Sequence, residues 1–366
     1  MLLEARRPVI YGATQATTEA VRTALAIGDQ IGALFLLGFS PEKRAGIASF
    51  QDHGRVKATL GEVKNRADLI VYWGCDPTSS HPRHSTRYGA ESQGQFRPGG
   101  RSDRVVAVVR EEATPLEATA DLRMVVPSDR EVEHLARLRM RISRSANESS
   151  SAEPDSDSHA IDSLAESLMR AHYGVLFFKP LSRLPSRIRI AWDAMSGLVR
   201  ELNRVAQFRL MSLGGSGNPT GAEAAMGWQA GFSPGVDFRL GYPAPVDEVD
   251  SLNAVLERGE LDTLLVIADE PPSDLSDRAR ESLARVPTIV VSSSPGSWGG
   301  CETTVGFPAP PLGVSDRGSV TRVDSIALPV RPILAPSMPV IGDWLGRLLT
   351  AIEHRASKAR VSGEVP

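Results

Sequence analysis

The sequence is poor in cysteine, in long apolar runs and in net charge. Two cysteines among 366 residues are too few for a disulfide scaffold and fit a reducing compartment. No apolar run approaches the roughly 18 residues of a membrane-spanning helix, and the first residues lack the apolar core of a secretory signal. A net charge of −3 argues against nucleic-acid and membrane-surface binding. We therefore predict a cytoplasmic protein that binds neither nucleic acid nor membrane.

The chain does have apolar residues, 41% of the total, and they recur in a regular order. Short apolar runs that predict strands, as at residues 8–12, 68–73 and 261–268, alternate with segments of helical periodicity, as at 130–142. Strands that alternate with helices favour parallel sheets with right-handed crossovers. The length suggests two domains. The predicted fold class is α/β with two lobes and mainly parallel sheets.

A polar, serine-rich segment at residues 143–158 interrupts this alternation. It has too few apolar residues to offset the entropy of ordering it, which is typical of a disordered linker or loop tip. We use it as the boundary between the lobes. The predicted organisation is a first lobe at 1–144, a disordered linker or loop at 145–158, a second lobe at 159–354 and a frayed tail at 355–366.

The stretch Leu69–Tyr88 is where a buried strand turns abruptly into a polar loop. The loop contains two histidines, two arginines, a cysteine and an aspartate. If a helix opens after Pro77, then His81, His84 and Arg87 share one face, and a helix N-terminus with arginine nearby can bind an anion. A polar turn whose side chains serve structure is an equal alternative. As a metal site the cluster is weak, because two histidines without a third ligand do not make a catalytic zinc set.

Other segments carry weaker signals. The glycine-rich run Leu213–Gly221 allows a phosphate to approach the backbone, but it matches neither phosphate-loop nor dinucleotide fingerprints, and a tight strand-to-helix turn explains it equally well. Cys301 has no partner motif. The residues by themselves thus lead to a two-lobed α/β protein with an anion-binding crevice at strand C-termini.

The run Val71-Tyr-Trp-Gly-Cys-Asp-Pro77, followed by His81-Pro-Arg-His84, resembles the B subunit of formylmethanofuran dehydrogenase. Proteins of that kind are members of the molybdopterin and tungstopterin oxidoreductases. Supporting segments are Pro8–Gly12, Thr59–Asp68, Trp228–Phe232, Val236–Phe238, Gly241–Pro243 and Leu328–Arg331. The resemblance implies two Rossmann-like lobes of the molybdopterin-oxidoreductase type.

The chain departs from the redox members of that family at three places. The cysteine-rich segment that holds a [4Fe–4S] cluster is absent, so we expect no iron–sulfur domain. The position of the metal-binding cysteine or selenocysteine resembles Thr18, and a neutral hydroxyl is a poor ligand for molybdenum or tungsten. The family's Cys-His pair is replaced by Leu36-Leu-Gly-Phe-Ser-Pro41.

This pattern is similar to the B subunit of the bacterial formyltransferase/hydrolase complex. The resemblance implies a structural subunit in tetrahydromethanopterin-linked C1 metabolism, where formaldehyde is oxidised to formate, with homologues of the A, C and D subunits as partners and no cofactor or metal. The alternative is an oxidoreductase subunit that binds a molybdopterin or tungstopterin guanine dinucleotide. No catalytic residue is predicted, and whether the chain is itself an enzyme stays open. The resemblance places a vestigial pterin crevice at Gly74, Cys75, Asp76, Pro77, His81, Arg83 and His84.

Overall fold

The computed structural model describes residues 1–144, 156–247, 250–273 and 275–362. Strands and helices alternate along most of these ranges. In chain order the strands are β1 (Pro8–Gly12), β2 (Leu34–Leu36), β3 (Leu69–Trp73), β4 (Val105–Arg110), β5 (Leu122–Val125), β6 (Tyr173–Phe178), β7 (Gln207–Met211), β8 (Gly235–Asp237), β9 (Ala244–Pro245), β10 (Thr263–Ile267), β11 (Thr288–Ser292), β12 (Ser297–Trp298), β13 (Cys301–Glu302), β14 (Val305–Pro308), β15 (Gly318–Thr321) and β16 (Ala327–Val330).

The helices fall between these strands, and short 3-10 turns occupy Gly100–Asp103 and Pro115–Thr119. In chain order the helices are α1 (Thr18–Ile31), α2 (Pro41–His53), α3 (Leu60–Arg66), α4 (Pro77–Ser80), α5 (His84–Arg87), α6 (Glu131–Arg144), α7 (Ser156–Arg170), α8 (Pro185–Leu202), α9 (Pro219–Ala230), α10 (Leu252–Arg258), α11 (Asp277–Leu283) and α12 (Ile341–Ser362). Among the described residues, no helix combines the length and apolar character needed to cross a membrane.

The chain forms two compact units. Unit 1 comprises Met1–Ser40 and Gly214–Pro366, and unit 2 comprises Pro41–Leu213. The sheet of unit 1 has the strand order β14-β11-β10-β1-β2-β8-β9, parallel from β14 to β2. Alternate residues of β1 face opposite cores, since Ile10 packs among residues of α1, α9 and α12, and Val9 packs among residues of α10 and α11.

The sheet of unit 2 is parallel throughout, with the order β5-β4-β3-β6-β7. Leu69, Val71 and Trp73 of β3 pack with residues of α6, α7 and α8 on one face. The strand order reverses between β3 and β6, which is the position of the ligand crevice in doubly wound sheets. The predicted α/β class with mainly parallel sheets is confirmed.

The division into units differs from the predicted consecutive lobes at 1–144 and 159–354. The chain leaves unit 1 after Ser40 and returns at Gly214, because β1 pairs on one side with the nearby β2 and on the other with β10, which lies far along the sequence. Residues 145–155 of the predicted linker at 145–158 lie outside the described residues. Both flanking helices, α6 and α7, contribute to the core of unit 2, and α7 begins at Ser156, inside that predicted linker.

The predicted frayed tail at 355–366 is also revised. Helix α12 continues through this region to Ser362, and residues 363–366 lie outside the described residues. The helix packs its apolar side, including Leu345 and Ile352, into the core beside α1. The core contacts thus lie in the part of α12 that precedes residue 355, and the helix continues from there to Ser362.

Candidate functional site

The loop after β3 begins with a backbone that requires glycine. Gly74 has a φ of +66°, and a Cβ at this position would lie 1.9 Å from the carbonyl oxygen of Lys179. Asp76 then caps α4, since its Oδ1 accepts hydrogen bonds from Thr78 N at 2.8 Å and Thr78 Oγ1 at 2.6 Å. Pro77 occupies the first turn, where no N–H is needed. The Gly-Cys-Asp-Pro run thus has a local structural reason at three of its four positions.

Cys75 is buried between these positions. Its Sγ donates a hydrogen bond to the carbonyl oxygen of Phe177 at 3.3 Å. Burial raises the pKa of the thiol to about 12. A protonated, enclosed thiol is neither a nucleophile nor a metal ligand.

His84 is also buried, at 5% exposure. Its Nε2 lies 3.1 Å from the hydroxyl of Tyr72, and its ring stands edge-on to Phe177 with the ring centroids 4.9 Å apart. Burial, assisted by the charge of His81, lowers the pKa of His84 to about 4. The imidazole is therefore neutral at physiological pH and serves as a polar contact within an aromatic cluster.

The helical face predicted for His81, His84 and Arg87 is wrong. Helix α4 ends at Ser80 and α5 begins at His84, because His81 precedes Pro82 and adopts a φ of −138° and a ψ of 67°. His81 is half-buried, its Nδ1 lies 2.9 Å from Ser80 Oγ, and burial lowers its pKa.

Arg83 stands at the N-cap position of α5 without a capping hydrogen bond from its side chain. It is exposed, whereas Cys75 and His84 are enclosed. The structure therefore does not bring the predicted site residues together around one reactive point.

A buried arginine that sequence reasoning missed organises the long connection between β3 and β4. Arg104 is 4% exposed, and no carboxylate of the described part of the chain is hydrogen-bonded to its guanidinium. The group instead donates to the carbonyl oxygens of Lys64, Ala67, Ala90, Ser92 and Gly100 at 2.6–3.2 Å. A lone arginine before a strand gives no sequence signal for this role.

In unit 1, the position resembling a metal ligand is enclosed by an amide. Thr18 lies in the first turn of α1, and its Oγ1 accepts a hydrogen bond from Asn218 Nδ2 at 3.3 Å. The same amide nitrogen donates to the carbonyl of Ala16 at 3.0 Å, and Asn218 Oδ1 accepts the backbone N–H of Thr321 at 2.7 Å. Asn218 is fully buried and thus joins three segments of unit 1.

The glycine-rich run Leu213–Gly221 packs against the loop that follows β1. Gln15 Nε2 donates to Ser216 O at 3.5 Å and lies 3.4 Å from Ser216 Oγ. Gly217 has a φ of +83°, and a Cβ there would approach Thr14 O to 2.6 Å. These contacts favour the tight-turn interpretation over a phosphate cradle.

Comparison with known proteins relates nearly the whole chain to one kind of protein, although no family model matches the sequence. The chain is 29% identical over 343 residues to the B subunit of the tungsten-containing formylmethanofuran dehydrogenase 2 of Methanocaldococcus jannaschii, covering 94% of this chain and 78% of that protein. The corresponding protein of Methanococcus maripaludis is 27% identical over 348 residues, covering 94% and 79%. This chain is a homologue of the formylmethanofuran dehydrogenase B subunit.

Solved structures show the fold of this B-subunit homologue. It matches a chain of the formyltransferase/hydrolase complex FhcABCD of Methylorubrum extorquens, solved with methylofuran, at a TM-score of 0.78 and 20% identity, covering 97% of this chain and 94% of that one. Acetylene hydratase of Pelobacter acetylenicus gives 0.58 at 8% identity, covering 95% and 56%. The chain therefore shares its α/β fold with both solved structures.

The residues of this B-subunit homologue do not fit a tungsten or molybdenum ion. The candidate ligand, Thr18, presents a neutral hydroxyl that Asn218 already engages. Cys75 is held protonated, and the Sγ of Cys301 lies 3.9 Å from the carbonyl of Arg280. Among the described residues, no group of three or more His, Cys, Asp or Glu side chains is arranged to hold a metal.

Proposed function

We propose that this chain is the B subunit of a formylmethanofuran dehydrogenase-like formyltransferase/hydrolase complex. In this role it supports tetrahydromethanopterin-linked C1 metabolism, where formaldehyde is oxidised to formate, without a redox metal of its own. One observation carries the proposal. The chain is similar to tungsten-containing enzymes over 94% of its length, yet the residue that resembles their metal ligand is Thr18, whose hydroxyl is engaged by Asn218.

The proposed partners are homologues of the A, C and D subunits, in the cytoplasm. Support comes from the similarity to a chain of the FhcABCD complex, which extends over 97% of this chain. Because this chain has no thiolate at the position of the metal ligand, we expect no metal-dependent oxidation to take place in it. The formyl transfer and hydrolysis would then belong to the partner subunits.

The loop Gly74–His84 has an architectural role in this proposal. We interpret it as the relic of a pterin crevice, in which Gly74, Cys75, Asp76, Pro77 and His84 now serve turns, caps and buried contacts. His81 and Arg83 remain the accessible members. The competing proposal, an oxidoreductase subunit that still binds a pterin dinucleotide, is favoured only by the presence of this sequence block.

The decisive experiment is co-expression with homologues of the A, C and D subunits, followed by metal and pterin analysis of the purified complex. We expect four co-purifying subunits, tungsten and molybdenum far below one atom per complex, and no pterin fluorescence in an organic extract. Stoichiometric tungsten or molybdenum would overturn the architectural role and support the oxidoreductase. Replacing Arg83 with Ala should leave the turnover of the assembled complex unchanged.

A further inference from the structure

An apolar segment at residues 332–338, which we name the strap, lies on the surface of unit 1. Ile333 is 80% exposed and Leu334 is 62% exposed. The backbone N–H groups of these two residues donate to the carbonyl of Val314 at 2.9 and 3.1 Å, so the main chain of the strap is fixed. Neighbouring apolar side chains on a protein surface mark interaction sites more often than isolated ones do.

A cavity of about 550 Å³ opens beside the strap. Its walls come from the strap and from the first turns of α1 and α12. Apolar side chains, among them Ile333, Leu334 and Val340, form one part of the lining. The other part is charged, with the three carboxylates of Glu19, Asp316 and Asp343 against the single guanidinium of Arg317.

The three carboxylates of the lining differ in their partners, since Glu19 accepts hydrogen bonds from Ser319 N and Ser319 Oγ at 2.8 and 2.9 Å, whereas the two aspartates have no ion-pair partner among the described residues. Asp316 is 3% exposed, and its Oδ2 accepts the backbone N–H of Gly313 at 2.9 Å. Among the described residues, neither Asp316 nor Asp343 forms a salt bridge. Burial, and to a smaller extent Asp343, raise the pKa of Asp316. A buried carboxylate without a cation is unfavourable, so a cationic occupant would be bound favourably.

The surface continues along α12. A groove of about 770 Å³ shares Gly342 and Asp343 with the cavity. Its lining continues along α12 with Gly346, Arg347, Thr350, Ala351 and His354. Apart from its chain neighbours and the backbone of its own helix, no heavy atom of the described residues lies within 4 Å of a Cβ built on Gly346. The small residues leave room for the backbone of a second helix to approach α12 closely.

We propose that the strap, the cavity and this groove form a docking surface for a helix of a partner protein that inserts a lysine or arginine side chain into the cavity. The match is one of charge and shape. The cationic head meets the carboxylates, while the apolar stem lies against Ile333 and Leu334. The inference rests on the proposed function, since it assumes that the chain is assembled with other subunits.

The first test measures the affinity of the full-length chain for its co-expressed partner subunits. The double variant Ile333→Ser/Leu334→Ser removes the apolar wall, and both side chains are exposed, so the chain should fold as before. We expect binding at least about tenfold weaker. Asp343→Asn should weaken binding by about threefold and reduce its salt dependence. Leu240→Ser, at a side chain of unit 1 that is 64% exposed outside the surface, is the control and should bind as wild type.

Each outcome has a defined meaning. Wild-type affinity of the double variant in a complex that assembles overturns the docking surface and leaves the proposed function intact. Failure of the wild-type chain to assemble overturns both. A photo-crosslinker at position 333 in the complete complex should label a partner peptide containing lysine or arginine. Adducts only with a second copy of this chain, or none, would contradict the proposal.

Discussion

The loops that follow the central strands β3 and β1 are closed by different kinds of polar group. After β3, in unit 2, the buried polar groups include three ionisable ones, those of Cys75, His84 and Arg104. The loop after β1, in unit 1, is closed by neutral side chains, among them Thr18 and, from the glycine-rich run, Asn218. Each group is engaged by hydrogen bonds, so both loops are enclosed.

The difference shows two ways of enclosing a loop at the end of a parallel sheet. Burial of ionisable groups ties the structure to pH and makes each substitution costly, because a lost partner leaves charged or unsatisfied groups behind. Neutral hydrogen bonds cost less to lose and do not titrate. We therefore expect unit 2 to be the acid-sensitive part of the chain.

The largest effect should come from Arg104. Replacing it with Met leaves five carbonyl groups without their donor, and we expect a loss of about 3–5 kcal/mol of unfolding free energy. Arg104→Lys should restore only part, because an ammonium has three donors and no planar geometry. Urea unfolding of the full chain measures this. A smaller loss than that of the Asn218→Ala variant would contradict the view that substitutions at buried ionisable groups cost more than substitutions at neutral ones.

His84 tests the pH dependence. In the unfolded chain its pKa returns toward the ordinary value of 6.5, and in the folded chain it is about 4. The contribution of the neutral imidazole to the free energy of unfolding is complete above pH 6.5 and decreases as the pH falls. At pH 4 the loss amounts to about 3 kcal/mol. His84→Gln should flatten the difference in stability between pH 7 and pH 4, measured by urea unfolding. His159→Gln, at an exposed histidine, should leave the profile as in wild type.

Asn218 probes the neutral loop. Asn218→Ala removes the hydrogen bonds to Ala16, Thr18 and Thr321, and we expect a loss of about 2–3 kcal/mol. The loss should be the same at pH 7 and pH 5, as measured by denaturant unfolding, since no titrating group is involved. Gln229→Ala, at an exposed side chain bonded to the Arg22 carbonyl, should change stability by less than about 0.5 kcal/mol.

Thr18 should give the smallest effect. Thr18→Val keeps the shape but removes the acceptor of one hydrogen bond from Asn218, with an expected loss of about 0.5–1.5 kcal/mol. Thr18→Ser should recover most of it. Thermal unfolding followed by circular dichroism separates the two variants. Equal melting temperatures for Val and Ser would show that the hydroxyl contributes nothing.

The strands were predictable because a buried strand appears in the sequence as a continuous run of apolar residues. The run at 68–73 predicts β3 to within one residue, and 8–12 predicts β1, since strands buried on both faces read as continuous apolar segments. The two-unit division was not predictable in this way. The pairing of Pro8 with Thr263 is a long-range choice that periodicity does not encode.

In the candidate site, too, features set by neighbouring residues were predictable and features set by distant segments were not. The residue types of the Gly74–His84 loop identified the related proteins, but their burial depends on Phe177 and Lys179, more than 90 residues further along the chain. The end of α4 could have been predicted from Pro82, because the residue before a proline disfavours the helical conformation. The spacing of His81 and His84 suggested a continuous helix instead. Arg104 and Asn218 act through contacts with distant segments, which a single sequence does not reveal.

The insertion of residues 41–213 within unit 1 has a consequence for the order of folding. Unit 2 is continuous in sequence, so all its strands are available once residue 213 has left the ribosome. Strand β1 emerges before unit 2 but must wait for β10, since Pro8 pairs with Thr263. During that interval one edge of β1 lacks its native neighbour and is open to pairing with a strand of another chain.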